Sequence, residues 1–242
     1  LEYSNSEGIL IIGYVNGQID LLKGNKILNV NDIYRNENIS TSKRINHIST
    51  IKKEAYLCTD FGIVVLDITT GLINETYRFI GANGAEVSVY SSTIKENSDS
   101  LFIISNEGLQ TASLINYNLQ DFHNWTTHDE RNEIPTETLV SVATLSDTVY
   151  LASEHGLYAL ENQLWENKKR VENTVSNLTE GDKNMTFCYA DTVLKVRSET
   201  SLEIYTSPLL NKAIMARVDN NDAIQVTDSI NGLVLIDNED SK

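Results

Sequence analysis

Four histidines, His47, His123, His128 and His155, have the clearest capacity for acid–base or metal chemistry in this sequence. Metal binding needs two or three ligands converging in a defined geometry, and only His123, His128 and Asp129 are close along the chain. An exposed loop accounts for that trio as well, so no metal site is assigned. His155 stands where matching segments carry Asn, Glu or Phe, which reads as solvated turn chemistry and not as a general base. The carboxylate pairs Asp129-Glu130 and Glu239-Asp240 lie in polar connections, whereas a glycosidase pair needs a fixed separation across a cleft. A Gly-x-Ser-x-Gly elbow, a P-loop and a dinucleotide glycine pattern are all missing. The chain is therefore read as non-enzymatic, with no catalytic residue and no cofactor.

Other side chains recur in a pattern. Asp99-Ser100-Leu101, Asp147-Thr148-Val149 and Asp191-Thr192-Val193 fall just before the second strand of three repeat units, and Asp228-Ser229-Ile230 has the same form elsewhere. Asp followed by Ser or Thr makes good turns through side-chain to backbone hydrogen bonds, and that reading is preferred. The same hydroxyls, Ser100, Thr148, Thr192 and Ser229, are the candidate acceptors of an O-linked group. Cys58 and Cys188 sit in apolar, strand-like segments without CxxC spacing, which favours buried free thiols over a mutual disulfide.

The elements that must position these groups emerge from self-similarity. An apolar strand, a polar turn with Gly, and a second apolar strand recur as ILIIGYVNGQIDLL (9–22), AYLCTDFGIVVLD (55–67), LFIISNEGLQTASL (101–114) and VYLASEHGLYAL (149–160). A weaker copy, VLKVRSETSLEIY (193–205), has Ser201 at the marker position, and AIQVTDSINGLVLID (223–237) restores the glycine. The markers Gly17, Gly62, Gly108, Gly156 and Ser201 are about 46 residues apart, and the last step to Gly232 is shorter. That period with four short strands per unit is the signature of a β-propeller, whose blades bury their faces only by stacking on neighbours. Glycine at the marker is expected to supply positive φ in two-residue hairpins, with Asn16-Gly17 and Asn231-Gly232 the strongest cases. Continuous apolar runs such as Ile63-Val64-Val65-Leu66 fit strands covered on both faces.

The expected fold is thus all-β, one propeller body or fragment over residues 1–242. Blade units fall at approximately 1–40, 41–82, 83–130, 131–172, 173–210 and 211–242. The first unit is expected to begin at its second strand and the last to end at its third, implying further sequence on both sides. Of 242 residues, 40% are hydrophobic and 22% charged, enough for a core. A net charge of −15 repels a phosphate backbone and an anionic membrane surface, so nucleic acid is excluded as a partner. The longest apolar runs are too short for a transmembrane segment.

On these segments the chain resembles the PorZ-like proteins of the type IX secretion system of Bacteroidetes, whose amino-terminal region is a β-propeller. The resemblance is carried by LIIGYVNGQIDLL (10–22), INHIS (45–49) and above all AYLCTDFGIVVLDITTGLINETYRFIG (55–81). NEGLQTA (106–112), Asn118-Leu119 and Trp125 add to it, and it extends to about Trp165. It implies an exported, cell-surface, outer-membrane-associated or periplasmic scaffold. Its expected partners are the proteins of an outer-membrane secretion or attachment complex, together with surface lipopolysaccharide. No binding residue is carried over. The Asp–Ser/Thr–apolar triplets resemble the pattern at which exported Bacteroidetes proteins carry O-linked glycans. Periplasmic sensor propellers of hybrid two-component regulators supply the alternative, although the Trp typical of their repeats is missing before the marker glycines here.

Overall fold

A computed structural model describes residues 1–115, 118–181, 183–198, 201–219 and 222–236. Two compact units divide the chain, Leu1–Thr127 and His128–Lys242. In the first, sheet one is β1 (Glu2–Ser4), β2 (Ile9–Gly13), β3 (Ile19–Lys23) and β4 (Lys26–Val30). Sheet two is β5 (Ile45–Ile51), β6 (Glu54–Thr59), β7 (Gly62–Asp67) and β8 (Leu72–Tyr77). Sheet three is β9 (Val89–Lys95), β10 (Ser100–Ser105), β11 (Gly108–Ser113) and β12 (Trp125–Thr127).

The second unit repeats the plan. Sheet four is β13 (Leu139–Leu145), β14 (Thr148–Ser153), β15 (Gly156–Glu161) and β16 (Leu164–Arg170). Sheet five is β17 (Val175–Glu180), β18 (Met185–Tyr189), β19 (Thr192–Ser198) and β20 (Ser201–Thr206). Sheet six is β21 (Ala213–Val218), β22 (Ile224–Asp228) and β23 (Gly232–Ile236). Every sheet is an antiparallel meander in chain order, and the one α-helix among the described residues is a single turn, Asp32–Arg35. The fold is an all-β propeller of six blade units.

Why these segments are strands follows from where alternate residues go. Along β6 and β7, Ala55, Leu57, Val64 and Leu66 pack with Ile9, Ile11, Ile19 and Leu21 of sheet one. Their neighbours Tyr56, Cys58, Ile63 and Val65 point the other way, onto Val89, Leu101 and Ile103 of sheet three. Side chains alternate across a strand with period two, so a strand roofed on both faces loses its polar alternation and reads as an unbroken apolar run. In the second unit, Phe187, Met185 and Leu194 of sheet five meet Tyr150, Ala152 and Leu157 of sheet four. Val193 and Tyr205 meet Ala216, Ile224 and Val226 of sheet six. Burying one such side chain contributes about 1.5–3 kcal/mol, and no single sheet could collect that by itself.

Three sequence expectations need correction. Sheet one has its first strand: β1 pairs with β2 through Tyr3↔Leu10, a stretch of three residues too short to show a pattern. Ser201 is not the equivalent of the marker glycines. It lies at the turn from the third to the fourth strand of sheet five, where Ser198 pairs with Ser201, and the equivalent position is Thr192, opposite Tyr189. With Thr192 as the marker the last two intervals become 36 and 40, so the shortening is shared by sheets five and six and is not confined to the last step. The turns also differ from two-residue hairpins with a central glycine. Gly62, Gly108 and Gly156 are the first residues of the third strands, facing Thr59, Ser105 and Ser153. Gly13 pairs with Ile19 around a longer loop that holds Asn16-Gly17, and Asp228 with Gly232 around three residues. Two-residue turns with positive φ at both central positions do occur, at Ser146-Asp147 and Asn162-Gln163, and neither contains glycine.

Candidate functional site

The chemistry-bearing side chains gather at the turns between second and third strands. Thr59 ends β6, and its hydroxyl donates to the Gly62 carbonyl (2.9 Å) while accepting from the Phe61 N–H (3.2 Å). Ser105 does the same at the end of β10, donating to the Gly108 carbonyl (3.3 Å) and accepting from Glu107 N–H (3.1 Å). Ser153 ends β14 and donates to Glu137 Oε2 (2.8 Å), which also accepts from the His155 N–H (3.2 Å). Arg170 closes on Glu137 Oε1 (2.9 Å), and the Ser153 hydroxyl, ahead of Arg170, holds this carboxyl below its usual range. Asp228 ends β22: its Oδ1 accepts from Ile230 and Asn231 N–H (both 2.9 Å) and its Oδ2 from Asn211 and Lys212 N–H (both 2.8 Å). Led by Asn231, these amides keep the carboxyl ionised far below the ordinary range. Thr59, Ser105 and Asp228 at the last residue of the second strand thus satisfy turn amides that the ladder leaves open, while at Ser153 the amide of His155 is taken by Glu137.

Of the O-linked candidates, Ser229 is exposed in the β22–β23 turn, Ser100 and Thr148 are half-buried at the starts of β10 and β14, and Thr192 is buried. Only Ser100 and Thr148 open second strands; Thr192 opens a third strand and Ser229 lies beyond a second strand, so the shared register expected for three of them is not kept. The aspartates do turn work: Asp99 and Asp147 hold positive φ, and Asp191 accepts from the Thr192 hydroxyl (3.1 Å).

His123, His128 and Asp129 are each drawn to a different neighbour. His123 Nδ1 pairs with Asp121 Oδ1 (2.7 Å), His128 Nδ1 accepts from Trp165 Nε1 (3.3 Å), and Asp129 takes the Arg131 fork (2.6–3.0 Å). Burial pushes the His128 pKa down, and the Arg131 hydrogen bonds bring Asp129 to about 2. Among the described residues no three His, Cys, Asp or Glu side chains are placed to hold a metal ion. Glu239-Asp240 lies outside the described residues. His47 on β5 accepts from Ser92 N–H (3.4 Å), and the His155 ring Nδ1 is buried without a partner among the described residues. Both cysteines are buried free thiols, as expected, and burial pushes each to about 12.

Sequence reasoning missed two features. A depression beside the single helical turn is lined by Asn29, Asn31, Asp32, Arg35 and Asn36. Lys195, at the centre of β19, is fully buried in a network of charges. A lysine in an apolar run is the signal that could have flagged it, because ammonium groups are buried only when paired. Among the described residues, no helix is long and apolar enough to cross a membrane.

Comparison with known proteins supplies the rest. The family described as TSS9, PorZ, N-terminal beta-propeller domain matches residues 1–126, short of the limit near Trp165 expected from the letters. PorZ, a bacterial surface component of the type IX secretion system of Porphyromonas gingivalis, superposes with a TM-score of 0.81 at 19% identity, over 96% of this chain and 30% of that one. The extracellular domain of the hybrid two-component system BT4673 from B. thetaiotaomicron gives 0.73 at 19% identity, over 98% and 31%. The WD40 β-propeller domain of Doa1 gives 0.69 at 14% identity, over 99% and 78%. At such identities the likeness is one of fold. The chain spans under a third of the first two proteins. No curated protein sequence matches it.

Proposed function

Because the chain belongs to the PorZ N-terminal β-propeller family of the type IX secretion system, we propose that it is a non-catalytic scaffold in the surface attachment complex of that system. It holds protein partners and surface lipopolysaccharide, outside the cytoplasm. The family match over residues 1–126 carries this reading. The turn chemistry supports it: Thr59, Ser105, Ser153, Glu137 and Asp228 are all engaged in holding backbone or one another. The test is cross-linking and affinity capture of the full-length protein from native outer membranes. Co-purification of secretion-system components is expected, and their absence from the captured material overturns the scaffold role. Binding to purified lipopolysaccharide, measured separately, decides the lipid arm.

A second reading, a ligand-sensing domain of a hybrid two-component regulator, is favoured by the BT4673 superposition. A membrane helix and a kinase domain encoded downstream would establish it. For the Asp–Ser/Thr–apolar hydroxyls we propose the turn role. Intact mass of protein from its native host, compared with variants carrying Ala at Ser100, Thr148, Thr192 and Ser229, checks this. Excess mass in the parent that disappears from the variants would assign a glycan instead.

A further inference from the structure

Sheets five and six meet across an apolar seam of Val193, Tyr205, Ala216, Ile224 and Val226. Apolar contact is non-directional, so it holds the sheets together without fixing how one slides on the other. Two polar side chains interrupt the seam. Thr186 on β18 and Lys195 on β19 are cross-strand partners and so share the face turned to sheet six. The Thr186 hydroxyl donates to the Ala216 carbonyl of β21 (2.6 Å). The Lys195 ammonium, fully buried, meets Asp222 Oδ1 (2.5 Å) in the connection between β21 and β22, with Glu203 Oε2 of β20 at 3.8 Å.

Both carboxylates are held from a second side. Arg197 donates from Nη2 to Asp222 Oδ2 (2.5 Å) and from Nε to Glu203 Oε1 (2.8 Å), and Tyr205 donates to Glu203 Oε2 (2.6 Å). Lys195, Arg197, Glu203 and Tyr205 all belong to sheet five, and Asp222 is the one member contributed by the β21–β22 connection of sheet six. A buried charge that loses its partner is strongly destabilising, whereas an apolar side chain of similar volume in its place is often tolerated. The contact is therefore directional, and it is costly only when half of it is missing.

We infer that the Lys195–Asp222 contact, closed by Arg197, Glu203 and Tyr205, is a latch between sheet six and sheet five, and that leaving its buried ammonium without the Asp222 charge releases sheet six alone. Amide hydrogen exchange of the whole chain tests this, comparing peptides over residues 213–236 with peptides over 175–206. Asp222→Asn leaves the buried ammonium with the more distant Glu203 carboxylate as its counter-charge and is expected to speed exchange over 213–236 by about tenfold or more, with 175–206 changed less than about twofold. Lys195→Met fills the site without a charge to pair and is expected to keep both regions protected. The latch is overturned if Asp222→Asn leaves 213–236 as slow as in the parent. It is equally overturned if Lys195→Met opens the sheet as far as Asp222→Asn does, or if Asp222→Asn unfolds 175–206 along with it.

Discussion

Three glycines that open the third strands of sheets two, three and four occupy one structural position and should respond to alanine in three different ways. Gly62 has φ +120°, and a Cβ there would run into the Tyr77 carbonyl oxygen at the end of β8 and lie 2.9 Å from the Cα of Arg78 just beyond it, both backbone atoms. Gly108 has φ +103° with open space around the new methyl. Gly156 has an ordinary φ, and its Cβ would meet only the Tyr158 ring edge at 2.7 Å. Positive φ in an L-residue costs roughly 1–3 kcal/mol, offset by about 0.4–1 kcal/mol from the stiffer unfolded chain. Gly108→Ala should then destabilise by about 1–2 kcal/mol. Gly62→Ala adds a displacement of backbone that cannot rotate away, about 1–3 kcal/mol more, for a total of about 2–5 kcal/mol. Gly156→Ala needs only a ring to shift and should fall within about 1 kcal/mol of the parent. Urea unfolding followed by circular dichroism gives the three values, with an unchanged m confirming that stability alone moved. Equal losses for Gly62→Ala and Gly108→Ala, which lie in the same compact unit, would show that the close approach of β8 is not what selects glycine at Gly62.

Further outcomes follow from the same geometry. Cys58 and Cys188, buried and pushed to about 12, should both resist thiol reagents at pH 8 in the folded chain and react together once it is denatured, as counted by mass spectrometry. Phe187→Ala empties a fully buried site between sheets four and five and should cost about 3–5 kcal/mol by chemical denaturation, against little for Leu202→Ala on the surface. Asp228→Ala should loosen sheet six by stranding four turn amides, seen as faster exchange at Asn211, Lys212, Ile230 and Asn231. Because the folded Asp228 carboxyl is held below its unfolded value, its contribution is present above the ordinary carboxylate range and is lost as pH falls through the folded pKa. The parent should therefore lose its advantage over Asp228→Ala in acid, and a difference between them that persists there would refute the assignment.

The repeat was legible because each blade must present the same faces to its neighbours, which forces apolar pairs of strands to recur with a turn between them. What misled was the turn letter. In sheet five the pattern Val193 to Tyr205 looked like second and third strands, yet it is the third and fourth, since Tyr189-Ala190-Asp191-Thr192 makes the equivalent turn with no glycine at all. Ala190 itself takes positive φ there, so a non-glycine residue occupies the conformation for which glycine was sought. The better marker was present but unread: Thr59, Ser105, Ser153 and Asp228 precede the turn, and the glycines Gly62, Gly108, Gly156 and Gly232 follow it. The oxygens of Thr59, Ser105 and Asp228 accept turn amides, and Ser153 holds the Glu137 carboxylate that does so in sheet four. The Glu137 and Lys195 contacts stayed hidden because their partners come from other strands or connections, Ser153 and Arg170 in one case and Asp222 in the other.

Burial along a strand follows how many of its faces are covered. In β6 and β7 alternate residues belong to two different cores, so eleven of the twelve side chains are buried and no polar rhythm survives. In β22 the rhythm is intact: Ile224, Val226 and Asp228 are buried while Gln225 and Thr227 are exposed. One face of β22 rests on sheet five, and a strand of that kind needs fewer apolar letters to be stable. In the seam between β22 and sheet five, the contact of the buried Lys195 ammonium with the half-buried Asp222 adds a directional constraint to apolar packing.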